Sequence, residues 1–102
     1  MKDLVPVKNG VGNLSGEEHA RDVYVRIVQA LEREGQVDMD MGGIESLSPS
    51  FAYEAFGKLV DRFGPTVNNK IRFENDPLHL SIRIVQALER RKRVVEINAK
   101  NR

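Results

Sequence analysis

The sequence contains no cysteine, no long apolar run and almost no net charge. Without cysteine the chain has no disulfides and no thiolate metal or redox site, which suits a reducing compartment. No apolar run approaches the roughly 20 residues that cross a bilayer, and the N-terminus lacks the pattern of a signal peptide. A formal net charge of +1 gives no global electrostatic reason to bind nucleic acid or membranes. These absences predict a cytoplasmic protein.

What the sequence does contain is ordinary for one soluble globular domain. Of its 102 residues, 40% are hydrophobic and 30% are charged, which is enough for one core. We therefore expect a single domain over residues 1–102. Within it, residues 1–13 form a weakly patterned strand region and residues 98–102 a flexible tail.

Apolar residues recur at helical spacing in three segments of the chain. The first helix is expected at about residues 16–34, opened by a Ser15-x-x-Glu18 capping box and stopped by Gly35. A second helix follows Ser48 and Pro49, an N-cap and an N1 proline.

This second helix ends at Gly64-Pro65, and a third is expected to begin with a cap and an N1 proline at Asn75-Asp76-Pro77. Leu78 is the first residue of its apolar stripe, which continues at the spacing of a helix.

Strands are indicated by alternation with period two at Val37–Met41 and Lys70–Glu74. Leu4–Val7 could form an edge strand, with a short hairpin before the first helix, and Val94–Ile97 a last strand. The order β-(β)-α-β-α-β-α-(β) predicts an α/β fold with a small mixed or largely parallel sheet.

One octapeptide occurs twice: Arg26–Arg33 is identical to Arg83–Arg90. The copies arise either by duplication of an α-β unit or by two amphipathic helices reaching the same sequence. The second explanation is favoured, because the similarity fades quickly outside the octapeptide.

The segment Val37–Ile44, followed by Ser48–Ala52 and Phe56, resembles the core of the STAS-like domains, small bacterial proteins catalogued as a domain of unknown function. Their pattern is a strand ending in aspartate, a glycine-containing turn, and a helix start of serine, phenylalanine and alanine. The matching residues are Asp40, Gly43, Ser50, Phe51 and Ala52. The resemblance covers about residues 14–90 and implies a STAS-like fold.

The wider relatives of this family include the anti-sigma factor antagonists, in which a partner kinase of the histidine-kinase-like ATPase fold phosphorylates a serine of the matching turn. The resemblance implies that Ser50 is the phosphoacceptor. The chain departs from the pattern where Ser48 replaces an aspartate and Phe51 replaces a glycine. The resemblance predicts a protein-interaction module, whose partner is such an ATPase or an anti-sigma factor and whose contact residues are Asp40, Gly43, Ser46, Ser48, Ser50 and Phe51.

Other candidate sites have simpler explanations. Asp38 and Asp40 project to one face of a strand, but no third acidic or histidine residue stands nearby. We expect Asp40 to brace the following turn rather than to act in catalysis. His19 and His79 lack ligand-spaced neighbours, so no metal site, cofactor or enzymatic activity is predicted.

The only concentrated charge is the run Arg90–Arg93. It either contacts nucleic-acid phosphates or complements the dipole at the end of a helix. The alternative function that it suggests is a nucleic-acid accessory protein.

Overall fold

A computed structural model describes residues 4–6 and 13–100. The strands are β1 (Leu4–Pro6), β2 (Asn13–Leu14), β3 (Val37–Asp40), β4 (Ser46–Leu47) and β5 (Ile71–Glu74). The helices are α1 (Glu17–Glu34), α2 (Pro49–Ala52), a π-helical turn (Tyr53–Gly57), α3 (Leu59–Phe63), a 3-10 turn (Val67–Lys70) and α4 (Ser81–Lys100).

Three of these strands form a parallel sheet in the order β1-β3-β5. Val37 pairs with Ile71, and Leu4 pairs with Asp38 on the other side of β3. The predicted strands at Val37–Met41 and Lys70–Glu74 are both present, each one residue shorter than expected. The predicted α/β class, with a small parallel sheet, is confirmed.

The expected hairpin before α1 is wrong. β1 joins the main sheet beside β3, whereas β2 pairs in parallel with β4 in a separate two-stranded ladder. Two strands of one hairpin would pair antiparallel with each other. The part of the predicted turn at residues 7–12 lies outside the described residues.

The first predicted helix is confirmed, with a different start. The N-cap of α1 is Gly16, which makes no side-chain capping bond, so Ser15 does not form the expected capping box. Gly35 ends the helix in the left-handed conformation at φ 77° and donates its N–H to the Leu31 carbonyl. The face toward the core comprises Ala20, Val23, Ile27, Val28, Ala30 and Leu31.

The second predicted helix is interrupted by the π-helical turn. The wider turn brings three consecutive residues, Ala55, Phe56 and Gly57, into buried positions. A regular α-helix rotates about 100° per residue and would point one of the three away from the core. A Cβ at Gly57 would stand 3.0 Å from Cδ2 of Tyr53, so glycine permits this close approach.

The start of the third predicted helix lies four residues later than expected. Residues 75–80 form a turn in which Asn75 and His79 have positive φ angles, 57° and 54°. The Asp76 carboxylate accepts hydrogen bonds from the N–H groups of Leu80 and Ser81, at 2.9 and 3.0 Å. The Asp76 side chain thus caps the start of α4, as a residue of the predicted cap. Pro77, however, is not an N1 residue.

The predicted strand Val94–Ile97 is also wrong, because α4 runs without interruption to Lys100. Helical spacing continues from the buried Ile84 and Leu88 to Val95, which packs against the core. Residues 98–100 of the expected tail are helical, and residues 101–102 lie outside the described part of the chain.

The two octapeptides occupy α1 and α4, which contact the π-helical turn. Ile27 and Ile84 are each 0% exposed, and Leu31 and Leu88 are also buried. The repeated apolar positions therefore serve one shared core. Among the described residues, no helix has both the length and the apolar character required to cross a bilayer.

Replacement of Ile84 by alanine tests this assignment of the core. Loss of a fully buried isoleucine side chain should lower the free energy of unfolding by about 2–5 kcal/mol. The matched change Ile82→Ala, in the same helix, removes a side chain that is 57% exposed and should cost within about 0.5 kcal/mol. Urea denaturation measures both, and equal costs would contradict the burial of Ile84.

Candidate functional site

The end of β3 is fastened to the end of β5 at the carboxyl edge of the sheet. The N–H of Met41 donates to the Glu74 carbonyl at 2.8 Å. Beyond the strands, Oδ1 of Asp40 accepts both the Gly42 N–H and the Asn75 side-chain amide, each at 3.0 Å. One carboxylate oxygen thus connects the turn after β3 to the turn after β5.

These hydrogen bonds stabilise the charged form of the carboxylate. The Asn75 amide and, after it, the Gly42 N–H hold the pKa of Asp40 below its usual value. A Cβ at Gly42 would lie 3.1 Å from Oδ1 of Asp40, so a side chain there would press on this bond. Asp40 braces the turn, as the sequence predicted.

Gly43 gives the turn its direction. It is exposed and has φ 78°, a left-handed conformation that glycine adopts without steric cost. The chain then runs through β4, where the exposed Ser46 pairs with Asn13. Gly43 and Ser46 are therefore both placed at the surface.

The start of α2 places two serine side chains beside each other. Oγ of Ser48 accepts the Phe51 N–H at 3.1 Å and so caps the helix, as the sequence predicted. It also lies 3.3 Å from Oγ of Ser50. Ser50 is exposed and borders an open cavity of about 390 Å³, together with Ser15, Glu17, Phe51 and Glu54.

Phe51 requires a correction, because it was expected to contact a partner. Its side chain is 1% exposed, and its ring meets the His19 ring edge-on at a centroid distance of 5.2 Å. A residue buried to this degree anchors the start of α2 in the core. Pro49 and Ser50 are the exposed residues of this segment, and Ser48 is half-buried.

The other titratable candidates do not gather into a site. Asp38 is 5% exposed within the sheet, whereas Asp40 is half-buried. In residues 4–6 and 13–100, no group of three or more histidine, aspartate or glutamate side chains could hold a metal ion. Nε2 of His19 is buried and finds no hydrogen-bond partner among the described residues.

The basic run Arg90–Arg93 does not form one face. Consecutive helical residues are separated by about 100°, so the four side chains of this run leave α4 in four directions. Arg91 is already engaged by Asp61, through two hydrogen bonds of 2.8 Å. This arrangement does not favour the alternative of a nucleic-acid interface.

Two contributors to the site were missed from the sequence. Asn75 was predicted only as part of the start of the third helix, and its bond to Asp40 joins residues 35 positions apart, a contact that no local pattern reveals. Glu54 follows Ser50 by one helical turn, so its place near the serine could have been read from the spacing.

The substitution Asn75→Gly tests the brace, because glycine keeps the left-handed backbone and removes the amide donor. The pKa of Asp40 should rise toward the ordinary value of about 3.9. Since the folded-state pKa is lowered, the stabilisation is present above that pH and is lost as the pH falls. The difference in unfolding free energy between wild type and Asn75→Gly should therefore shrink on acidification.

Carboxyl-carbon NMR follows the titration of Asp40, and chemical denaturation across the same pH range follows stability. Asn69→Gly makes the same chemical change at an exposed position before β5 and should leave the pKa of Asp40 unaltered. An unchanged Asp40 titration in Asn75→Gly would contradict the brace.

Comparison with known proteins gives one result. A family model described as a STAS-like domain of unknown function (DUF4325) matches residues 19–76, a span that includes the Asp40–Asn75 bond and the start of α2. No curated protein and no solved structure has significant similarity to the chain. The match covers more than half of the chain, and the sheet and helices agree with it. The chain belongs to the STAS-like domain family DUF4325.

Proposed function

We propose that this protein is a cytoplasmic, non-enzymatic regulatory module that binds a protein partner, in the manner of the anti-sigma factor antagonists. Phosphorylation of Ser50 by a histidine-kinase-like ATPase partner switches that binding. The observation that carries the proposal is an exposed Ser50 hydroxyl at the start of a helix whose neighbouring residues, Phe51 and Ala52, are buried.

The position of Ser50 is well defined in this fold. The Ser48 cap and the proline at N1 set the start of α2, and the Phe51 ring is held in the core against His19. A kinase therefore meets the hydroxyl in one geometry, without unfolding the segment. This combination of a fixed backbone and an open side chain supports a modification site.

A phosphate on Ser50 would add nearly two negative charges to surroundings that are already acidic. The cavity beside it contains Glu17 and Glu54, and Glu54 follows Ser50 by four residues, a spacing at which like charges repel. Both glutamates already have a cationic partner, Glu54 with Lys58 at 2.7 Å and Glu17 with Arg21 at 3.4 Å. No cationic side chain among the described residues borders the cavity, so the phosphate would change the surface presented to a partner.

A non-enzymatic role fits the chemistry of the site. Asp40 is committed to two hydrogen bonds, and Asp38 is buried in the sheet. A serine nucleophile needs a general base within hydrogen-bond reach, and the side chain that Ser50 meets at 3.3 Å carries another hydroxyl, that of Ser48. Binding and modification are the functions that these residues support.

Phosphopeptide mapping tests the switch directly. Incubation of the chain with ATP and an extract of its source cells should place phosphate on Ser50. Ser50→Ala should abolish this phosphorylation, whereas Ser15→Ala, at another exposed serine of the same cavity, should retain it. Phosphate found elsewhere, or nowhere, would contradict the switch and leave the binding role to be tested by its own measurement.

A further inference from the structure

The two copies of the octapeptide are identical even at positions that are not buried in the core. In each copy the isoleucine and the leucine are buried, which explains their apolar character. The arginine, glutamine and arginine of each copy are exposed, and a surface helix position normally tolerates many residues. Their identity therefore needs an explanation other than the core.

Both copies border a groove, and they do so with the same four positions of the octapeptide. The spacing i, i+3, i+4, i+7 puts these positions on one helix face, where the small alanine leaves room between long donor side chains. The residues are Arg26, Gln29, Ala30 and Arg33 in the first groove, and Arg83, Gln86, Ala87 and Arg90 in the second.

The charges around the two grooves differ. The first, of about 240 Å³, also contains Glu34 and Asp38, and Nε of Arg33 lies 3.8 Å from Oε1 of Glu34. Its two arginines are thus balanced by two carboxylates.

The second groove, of about 330 Å³, lies between α2 and α4 and has no acidic lining residue. Nη1 of Arg83 makes one long hydrogen bond, 3.4 Å, to the Leu47 carbonyl. Arg90 has no ion pair with any residue that the structure describes. The second groove therefore presents two guanidinium groups whose charge is not neutralised locally.

A partly apolar depression of about 170 Å³ continues this groove along α4 and shares Pro49, Ala87 and Arg90 with it. Arg91 also borders it, with its guanidinium carbon 5.9 Å from the centroid of the Tyr53 ring. Tyr53 and Val94 border this depression and are 38% and 43% exposed. A ligand that fills both parts must offer negative charge at one end and an apolar side chain at the other. An acidic peptide segment has both features.

We propose that the α2–α4 groove binds an acidic segment of the protein partner. Carboxylates of the segment pair with Arg83 and Arg90, in the planar geometry that guanidinium favours, and an apolar side chain packs between Tyr53 and Val94. The inference rests on the proposed function and names the chemistry of its partner. Ser48 borders the groove and its Oγ lies 3.3 Å from Oγ of Ser50, so a phosphate at Ser50 would repel the same segment.

Fluorescence anisotropy with a short labelled peptide of alternating glutamate and leucine tests the groove. The wild-type chain should bind it with an affinity that falls as salt is added. The double variant Arg83→Glu, Arg90→Glu should weaken binding by about tenfold or more, since it removes the charge-assisted hydrogen bonds and adds repulsion between like charges. The double variant Arg26→Glu, Arg33→Glu makes the same charge change at equivalent octapeptide positions and should bind as wild type does.

The control peptide replaces each glutamate by glutamine and should bind at least tenfold more weakly. No binding of the glutamate peptide by wild type at low salt would overturn the inference, as would equal losses in both double variants. Tighter binding of inorganic phosphate or a DNA oligonucleotide through Arg83 and Arg90 would also overturn it. If the charge-reversed chain does not fold, Arg83→Gln with Arg90→Gln replaces it, and an unchanged affinity there is equally decisive.

Phosphate mapping at Ser50 separates this inference from the function on which it rests. If Ser50 is phosphorylated but the peptide does not bind, the inference about the groove is wrong and the proposed function stands.

Discussion

The hydrogen bonds of one oxygen atom, Oδ1 of Asp40, determine the form of the candidate site. This atom holds the Gly42 N–H and the Asn75 amide at 3.0 Å each, and so connects the two chain segments that leave the carboxyl edge of the sheet. Loss of either partner would leave a carboxylate whose charge is less well solvated by donors. These two bonds fix the first residues of the turn, from which the chain runs through Gly43 and β4 to the start of α2.

Packing in the core then fixes the position of the helical segment that follows the turn. Phe51 is buried at the start of α2, and the π-helical turn, which contains the fully buried Phe56, contacts both α1 and α4. Rigid packing below an exposed surface is what a recognition site requires, because ordering costs would otherwise reduce affinity. The accessible groups above it are the Ser50 hydroxyl and the guanidinium groups of Arg83 and Arg90.

Local chemistry predicted the parts of the fold that depend on local interactions. The alternation of Val37–Met41 with period two predicted a strand, and Ser48 with Pro49 predicted a helix start. Both predictions were right because both effects act within a few residues. The role of Asp40 in the turn was likewise predictable. Long-range contacts decided the rest: β1 and β2 pair with β3 and β4 rather than with each other, and α4 continues through Val94–Ile97, where Val95 packs against the core. Phe51 was wrongly predicted to contact a partner, because a sequence motif does not reveal which of its residues is buried.

The central claim is that charge at Ser50 controls binding at the surface beside it. Calorimetric titration of Ser50→Asp and Ser50→Asn with the partner protein recovered on the immobilised wild-type chain tests this claim most directly, because the two side chains have nearly the same size. The account predicts that aspartate changes the dissociation constant by about tenfold, equivalent to about 1.4 kcal/mol, and that asparagine leaves it near the wild-type value. Equal dissociation constants for the two variants would contradict it.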